Sequence, residues 1–376
     1  MTSNQYLDAS AVVSFFLMTG KKHLFLTGGR GSGKSFLCRA ISQKLAAGQA
    51  RPFSHLLSQK TDDNRVVMHS DLICQDTEYV IGKLPADTPS CGASNRMTPM
   101  EEGFQSCGIP AIQAHLLNAS GLFIIIDELG YLESSCQPFQ SAVRTVLNNS
   151  RVIAVLRKQE TPFLDELRAR EDALVIDLDA PFQSLACLLM ASGMSKRFGS
   201  NKLLASFGDR TLFENAVRIS RFADFGASLA VTIHPEVAAL CEQTGVRVLL
   251  HALPDRNDMI RLGLSKLLHT ADPEGILFLP SDQPLLSQTS LQLLCLSFLY
   301  HRDKICRLSA DGVGASPIIF PKRYFDELLS LPKKKGGSFL AKKYPEQVRL
   351  IPARDTYELS DVDTPQELTQ LLRYLR

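Results

Sequence analysis

Eight residues near the amino end, Gly28-Gly29-Arg30-Gly31-Ser32-Gly33-Lys34-Ser35, constrain the fold more than any other part of the chain. They match the spacing G-x-x-x-x-G-K-[ST] at every fixed position. A short apolar strand over 23–27 runs into them, and residues 36–47 read as a helix. Strand, glycine-rich loop and helix in that order make a phosphate cradle, because the loop N–H groups and the helix N-terminus point at one anion. In such a loop Lys34 reaches the β- and γ-phosphates of a nucleotide and Ser35 supplies a Mg²⁺ ligand. An accidental glycine-rich turn would not need this flanking order.

A loop of this kind works with an acidic strand end. Residues 122–126 are an almost uninterrupted apolar run, as a central parallel strand requires, and Asp127 and Glu128 end it. Asp127 would hold Mg²⁺ through water. Glu128 would orient an attacking water, which favours hydrolysis over the kinase alternative. A solvated carboxylate pair is the plainer account of both. Arg157 and Lys158 follow another strand end and read either as phosphate ligands or as surface charge.

A second strand–loop unit begins at Leu185. The apolar run 185–190 ends in Ala191-Ser192-Gly193, and Ser195, Arg197, Gly199 and Lys202 follow within two helical turns. Small residues let N–H groups approach a polyanion, and Arg and Lys bring neutralising charge. An ordinary strand-to-helix turn with surface cations is the alternative. Helices over 212–220 and 236–243 then alternate with strands over 228–233 and 246–250, which implies a mostly parallel sheet covered on both faces. Asn257 or Asp258 reads as the N-cap of the next helix. Asp282, between Pro280 and Pro284, ends the buried strand 276–279, where open α/β sheets bind ligands. It reads as a metal ligand or as a cap of the helix 287–300. The run Lys333-Lys334-Lys335-Gly336-Gly337 opens a helix and suits an acceptor phosphate or plain solvation. Thr364 caps the last helix, with Pro365 at its first position.

Two resemblances extend these observations. Asp127 to Glu133, DELGYLE, resembles the motif D-E-[IL]-G-x-[ML]-E of the small P-loop nucleoside-triphosphatases first recognised in thermophiles. The likeness continues in Glu102-Gly103-Phe104, Gly108-Ile109, Pro138-Phe139, a strand over 152–156, and Pro162-Phe163-Leu164 before a helix with Arg168 and Arg170. It covers most of residues 21–180. The polar segment 51–98, with Pro85 and Pro89, matches only loosely, and base-recognition residues are not placed there.

Residues 188–202 resemble the signature L-x-A-G-x-S-x-R-x-G-x-x-K of the MobA-like nucleotidyltransferases. Gly193, Ser195, Arg197, Gly199 and Lys202 fall on its fixed positions, and Ser192 stands where that family usually has Ala. The family's loop wraps the triphosphate of an incoming NTP, which implies contacts from Ala191, Ser192, Gly193, Ser195 and Gly199 and phosphate binding by Arg197 and Lys202. Asn257 and Asp258 fall in the segment that lies against the nucleotide, although Met259 replaces a small hydroxyl residue. Asp282 matches a D-x-P element whose Asp coordinates Mg²⁺. Residues 312–320 resemble the segment that holds the acceptor, with Ser316 in the place of a frequent His. Residues 361–368 resemble the ending D-[IV]-[DN]-T-P-x-D-L, so Asp363, and less surely Asp361, would complete the Mg²⁺ site. This likeness covers residues 185–376.

The expected architecture is therefore α/β throughout. A P-loop nucleoside-triphosphatase domain over 1–180 ends in a strand over 174–178. A short join containing Pro181 leads to a Rossmann-like nucleotidyltransferase domain over 185–376. Within the resembled family the pattern is nearest the branch that makes the dinucleotide form of molybdopterin. That implies Mg²⁺-dependent transfer of an NMP, CMP first, from its triphosphate to the phosphate of molybdopterin or a similar phosphorylated small molecule. Pyrophosphate would be released, with Arg197 and Lys202 as the catalytic cations. Two alternatives stay open. One is a sugar or alditol phosphate acceptor. The other is an NTP-driven maturation factor that passes cofactor to a molybdoenzyme.

Composition narrows the partners. A chain of 376 residues is too long for one ordinary core, and 45% hydrophobic residues fill two. Lys+Arg number 41 against 39 Asp+Glu, so there is no electrostatic footprint for nucleic acid or a membrane surface. No segment is long and apolar enough to span a bilayer, and residues 9–18 read as a first helix rather than a signal sequence. The 9 cysteines form no C-x-x-C pair and point to reduced thiols in the cytoplasm. The 8 histidines lack metal-binding spacing, which argues against structural zinc.

Overall fold

The computed structural model describes residues 7–46, 53–74, 77–84, 96–118, 123–253 and 255–375. Ala47, Pro85, Pro89 and Leu122 lie outside them, as does part of the segment 51–98. The chain forms two compact units, Val12–Asp179 and Ala180–Arg376, the second also taking in Met1–Ala11. No helix among the described residues is long and apolar enough to cross a membrane.

The first unit is built on an eight-stranded sheet. Its strands are β1 (His23–Gly28), β2 (Phe53–Lys60), β3 (Arg65–Ser70), β4 (Tyr79–Lys83), β5 (Thr98–Pro99), β6 (Phe123–Leu129), β7 (Arg151–Arg157) and β8 (Ala173–Asp177), in the order β5-β4-β3-β2-β6-β7-β1-β8. The five from β2 to β8 in that order run parallel, and β1, β6 and β7 are apolar almost throughout because helices cover both faces. β3, β4 and β5 add an antiparallel edge. Phe25, Phe104, Phe139 and Ile126 share the core beneath. The P-loop helix spans Lys34–Leu45, beginning two residues earlier than expected. Gly33 enters it at φ 85°, a left-handed conformation that glycine adopts without strain. β6 does not stop before Asp127. It continues to Leu129, because Asp127 pairs with Val155 and Leu129 with Leu156, so the two carboxylates lie within the strand end rather than after it.

The second unit has a seven-stranded sheet. Its strands are β9 (Leu185–Met190), β12 (Ala227–Thr232), β13 (Val248–Leu250), β14 (Gly275–Pro280), β15 (Ile305–Ala310), β16 (Val313–Pro321) and β17 (Val348–Pro352), in the order β13-β12-β9-β14-β16-β15-β17. A small hairpin, β10 (Ser206–Phe207) and β11 (Arg210–Thr211), stands apart from it. β9 lies between β12 and β14, all parallel, while β16 runs antiparallel to both neighbours. The sheet is mixed but mostly parallel, since β16 is the one reversed strand and the other pairings are parallel.

Four local expectations are corrected here. No helix follows the loop at once. Ser195 at φ 49° and Gly199 at φ 82° interrupt helical backbone, and Asn201 caps only a single 3₁₀ turn, Lys202–Leu204. The next α-helix is Leu212–Ser220. The helix Arg256–Leu268 is preceded by Asp255, so Asn257 and Asp258 sit inside its first turn and cap nothing. Ser287, not Asp282, caps the helix Gln288–Tyr300 by accepting the Ser290 N–H. Pro317 lies inside β16 rather than before the strand. A register shift opposite it, between Arg307 and Ser309, accommodates a residue with no N–H to give. At the end of the chain Thr364 does cap the helix Pro365–Leu371, with Glu367 completing a reciprocal capping box.

Candidate active sites

In the first unit, the C-terminal ends of the parallel strands bring Gly28, Asp127, Arg157 and Asp177 to one edge of the sheet. The Lys34 ammonium donates to the Gly28 and Gly29 carbonyls at 2.9 and 2.6 Å and approaches Ser32 Oγ at 3.4 Å. Ser35 hydrogen-bonds the Asp127 carboxyl. Burial raises the Asp127 pKa above its ordinary value, Glu128 adds to the rise, and Ser35, Lys34 and Arg39 partly offset it. Lys34, Ser35 and Asp127 thus lie near one another, and the hydroxyl and the carboxylate are hard oxygen donors of the kind Mg²⁺ takes.

Glu128 is ion-paired with Arg157 through both Nε and Nη2. Burial opposes the Arg157 charge, but Glu128 and Glu133 outweigh it and raise its pKa. Arg157 is thus an exposed cation paired with Glu128. Two further residues, Asp179 and Glu133, carry the site without an assigned role in the sequence. Asp179 accepts the Gly29 N–H through both carboxylate oxygens at 2.9 Å, and Lys158 bridges it to Asp177 at 3.0 and 2.8 Å. Only the pairing of β8 beside β1 brings Asp179 there, and linear spacing does not carry that information. Glu133 is 3% exposed and accepts the Gly130 N–H at 2.7 Å. Burial pushes its carboxyl up to about 7. It closes the DELGYLE motif, which was the available signal. In the loop Arg30 and Gly31 are exposed and Ser32 is partly exposed.

In the second unit, the loop after β9 meets two acidic segments. Lys202 Nζ donates to Asp282 Oδ2 and Asp363 Oδ1, each at 2.8 Å, and its side chain is 6% exposed. Arg197 pairs with the other oxygen of Asp363. Burial opposes the Lys202 charge, but Asp282 and Asp363 prevail and hold its pKa above the ordinary lysine value. Lys202, then Arg197, hold Asp363 below the usual carboxylate range. Asp361 accepts from Gln283 Nε2 at 3.0 Å, and burial followed by Asp282 raises its pKa. The acidic segment is stitched to the end of β14 by Val362 N–H donating to the Asp282 carbonyl at 2.9 Å and by Gln283 Nε2 donating to the Leu359 carbonyl at 3.2 Å. Asp282 and Asp363 thus converge on one cation, as a divalent ion would require. Among the described residues, however, no three His, Cys, Asp or Glu side chains stand in metal-holding geometry. Lys202 occupies the point of convergence.

The remaining loop residues have definite tasks. Ser195 Oγ accepts the Lys202 N–H at 3.2 Å and so fixes the entry of that side chain. Thr232 Oγ1 donates to the Ala191 carbonyl at 2.9 Å, and His234 Nε2 lies 2.8 Å from the Gly193 carbonyl. Asn257 does not cap its helix. Its Oδ1 accepts the Lys334 N–H at 2.9 Å and docks the loop 333–337, while Asp258 pairs with Arg261 at 3.2 Å.

Comparisons with known proteins follow this division. Residues 23–181 match the family model described as NTPase, and residues 187–348 match that of the MobA-like NTP transferase domain. The nucleoside-triphosphatase THEP1 of Thermotoga sp. (strain RQ2) is 21% identical over 158 residues, 42% of this chain and 86% of that protein. Among solved structures, Rv0371c from Mycobacterium tuberculosis H37Rv is 23% identical, with a TM-score of 0.45 over 51% of this chain and 99% of its own. A cytidylyltransferase from Leptospira borgpetersenii serovar Hardjo-bovis is 20% identical, with a TM-score of 0.44 over 52% of this chain and 88% of its own.

Proposed function

This chain is a fusion of an NTPase domain with a MobA-like NTP transferase domain, and we propose that the second domain joins CMP to the phosphate of molybdopterin or the molybdenum cofactor while the first hydrolyses NTP. The observation that carries the transfer reading is the convergence of Lys202, Arg197, Asp282 and Asp363 beside a glycine-containing loop at the strand ends.

That arrangement suits nucleotidyl transfer to a phosphate monoester. The acceptor oxygen is already an anion at pH 7, so no general base is needed. It attacks the α-phosphorus, the bond from that phosphorus to the bridging oxygen breaks, and pyrophosphate leaves with the electron pair. The obstacle is charge: two polyanions must meet, and the leaving group gains negative charge. Lys202 and Arg197 neutralise it, and the N–H groups of the loop 191–199 hold the phosphates in place. Asp282 and Asp363 are the residues that would hold Mg²⁺, which when bound neutralises phosphate oxygens. In the first domain Lys34 binds the terminal phosphates, Ser35 and Asp127 would hold Mg²⁺, and Glu128 orients the attacking water.

One experiment tests this directly. The protein and Mg²⁺ are incubated with each NTP and molybdopterin, and the product is identified by mass. A cytidine dinucleotide of molybdopterin with equimolar pyrophosphate is the expected result. Product only with a sugar or alditol phosphate replaces the acceptor. Inorganic phosphate as the only phosphate product, whatever the acceptor, refutes transfer and leaves an NTP-driven maturation factor.

A further inference from the structure

The start of the second loop is tied to the sheet by contacts that no motif announces. The Ala191 N–H donates to the Val231 carbonyl at 3.0 Å. Ser192 Oγ lies 3.1 Å from the same carbonyl and 3.0 Å from His251 Nε2. Chemistry fixes the direction of every link. The Leu253 N–H donates to His251 Nδ1 at 3.2 Å, so Nδ1 carries no proton and the neutral ring bears its proton on Nε2. Nε2–H therefore donates to Ser192 Oγ, and the serine proton goes to Val231. The relay runs Leu253 N–H, His251, Ser192, Val231 carbonyl, with one donor and one acceptor at each step.

We infer that His251 is a positioning residue for the nucleotide loop, acting through Ser192 to hold the residues 191–193 against β12 so that their N–H groups face the phosphates. This role rests on reading residues 185–376 as the nucleotidyl-transfer half. It gives the Ser192 hydroxyl a task where the resembled family usually has Ala: the hydroxyl couples the loop to a residue beyond β13. A second proton on His251 would place a donor opposite the Leu253 N–H and break the relay. The charged group facing the ring is Asp258, on the neighbouring helix and itself paired with Arg261. Burial holds the ring below the ordinary histidine value of 6.5, with Asp258 partly offsetting it. The relay is thus intact at neutral pH and is lost as pH falls through that lowered value.

Hydrogen exchange on the full chain, read by mass on peptides covering residues 191–202, tests the role. Without nucleotide at pH 7.5, His251→Leu and Ser192→Ala should exchange roughly tenfold faster than wild type. His251→Gln, whose amide can donate to Ser192 Oγ without titrating, should stay near wild type. The double variant Ser192→Ala/His251→Leu should be no faster than the faster single variant, because both cut one chain. With CTP and Mg²⁺, the affinity read from protection of the same peptides should drop several-fold in His251→Leu and not in His251→Gln. As pH falls through the lowered value of the ring, wild-type affinity should fall more than that of His251→Gln. NTP hydrolysis by the first domain, unchanged in both His251 variants, reports intact folding. Wild-type exchange in His251→Leu, or His251→Gln behaving like His251→Leu, overturns the role. If CTP protects nothing in wild type, the nucleotidyl-transfer reading fails, and the nucleotide-free exchange still decides the relay.

Discussion

The two units hold a lysine beside a phosphate loop in opposite ways. Lys34 is satisfied by its own loop, through carbonyls five and six residues back. Lys202 is satisfied by carboxylates 80 and 161 residues further along the chain. Its direct partners are neutral carbonyls, while the carboxylates of Asp127 and Asp179 act on the charge of Lys34 from further off. Around Lys202 and Arg197 stand Asp282, Asp361 and Asp363, three carboxylates against two cations. A triphosphate enters that second site favourably only with a cation that takes over the carboxylates. The lysine of the first site is held by its own loop, and that of the second by distant segments.

The sharpest way to break this contrast is to disable one loop and watch the other. Lys34→Ala should reduce NTP hydrolysis to background and leave pyrophosphate release by the second domain within twofold. Loss of both activities in Lys34→Ala would mean that the two sites are obligatorily coupled. Asp282→Asn keeps size and hydrogen bonding but removes one of the charges that meet Lys202. It should cut transfer by roughly a hundred- to thousandfold and leave NTP hydrolysis unchanged. Near-normal transfer across a range of Mg²⁺ concentrations would remove Asp282 from the metal site.

Chelation sharpens the same point with a smaller effect. Removing Mg²⁺ should weaken nucleotide binding at the second loop by at least about tenfold, because its carboxylates then face bare phosphate. The first loop, whose lysine hydrogen-bonds to neutral carbonyls, should lose less. Peptide-resolved hydrogen exchange measures both in one sample, and equal losses would erase the distinction.

The smallest expected effect concerns Glu133, a buried acid whose nearby cation, Arg157, is paired with Glu128. Its folded pKa is raised from 4.5 to about 7. Its stabilising contribution is therefore complete below pH 4.5 and is lost as pH rises through about 7. Glu133→Gln keeps an acceptor for the Gly130 N–H and cannot ionise. It should leave stability unchanged at pH 4 and raise that of the first unit at pH 8, by on the order of 1–3 kcal/mol. Thermal unfolding at the two pH values is the check. A stability difference that does not vary with pH would show that the carboxyl does not titrate in this range.

What could be read in the sequence follows the same local–distant divide. The bounds of Leu185–Met190 and Leu212–Ser220 were legible to the residue, since a dense apolar run and a capping box each mark them sharply. The P-loop was legible because eight adjacent residues specify it. The antiparallel edge β3 to β5 was not: those strands are short and half-buried, without the strong apolar alternation that marks a covered strand. The irregular path from Ala191 to Asn201 was not legible in detail, because positive φ at Ser195 leaves no mark on composition. Asp179, His234 and His251 stayed hidden for another reason. Each reaches its loop across the sheet, and strand order is not written in any one segment.

The separation of Lys202 from its counter-charges also has a consequence in time. A ribosome adding roughly 5–20 residues per second delivers Lys202 about 8–32 s before Asp363, the 161-residue gap setting the wait. Asp282 is out about halfway through that interval, and until then the ammonium cannot be buried, because an unpaired charge in a closed core is too costly. The nucleotide loop of the second unit must therefore stay open and hydrated on the nascent chain. The first unit has all of its site residues once Asp179 is out, so it can close and bind nucleotide while the second is still being made.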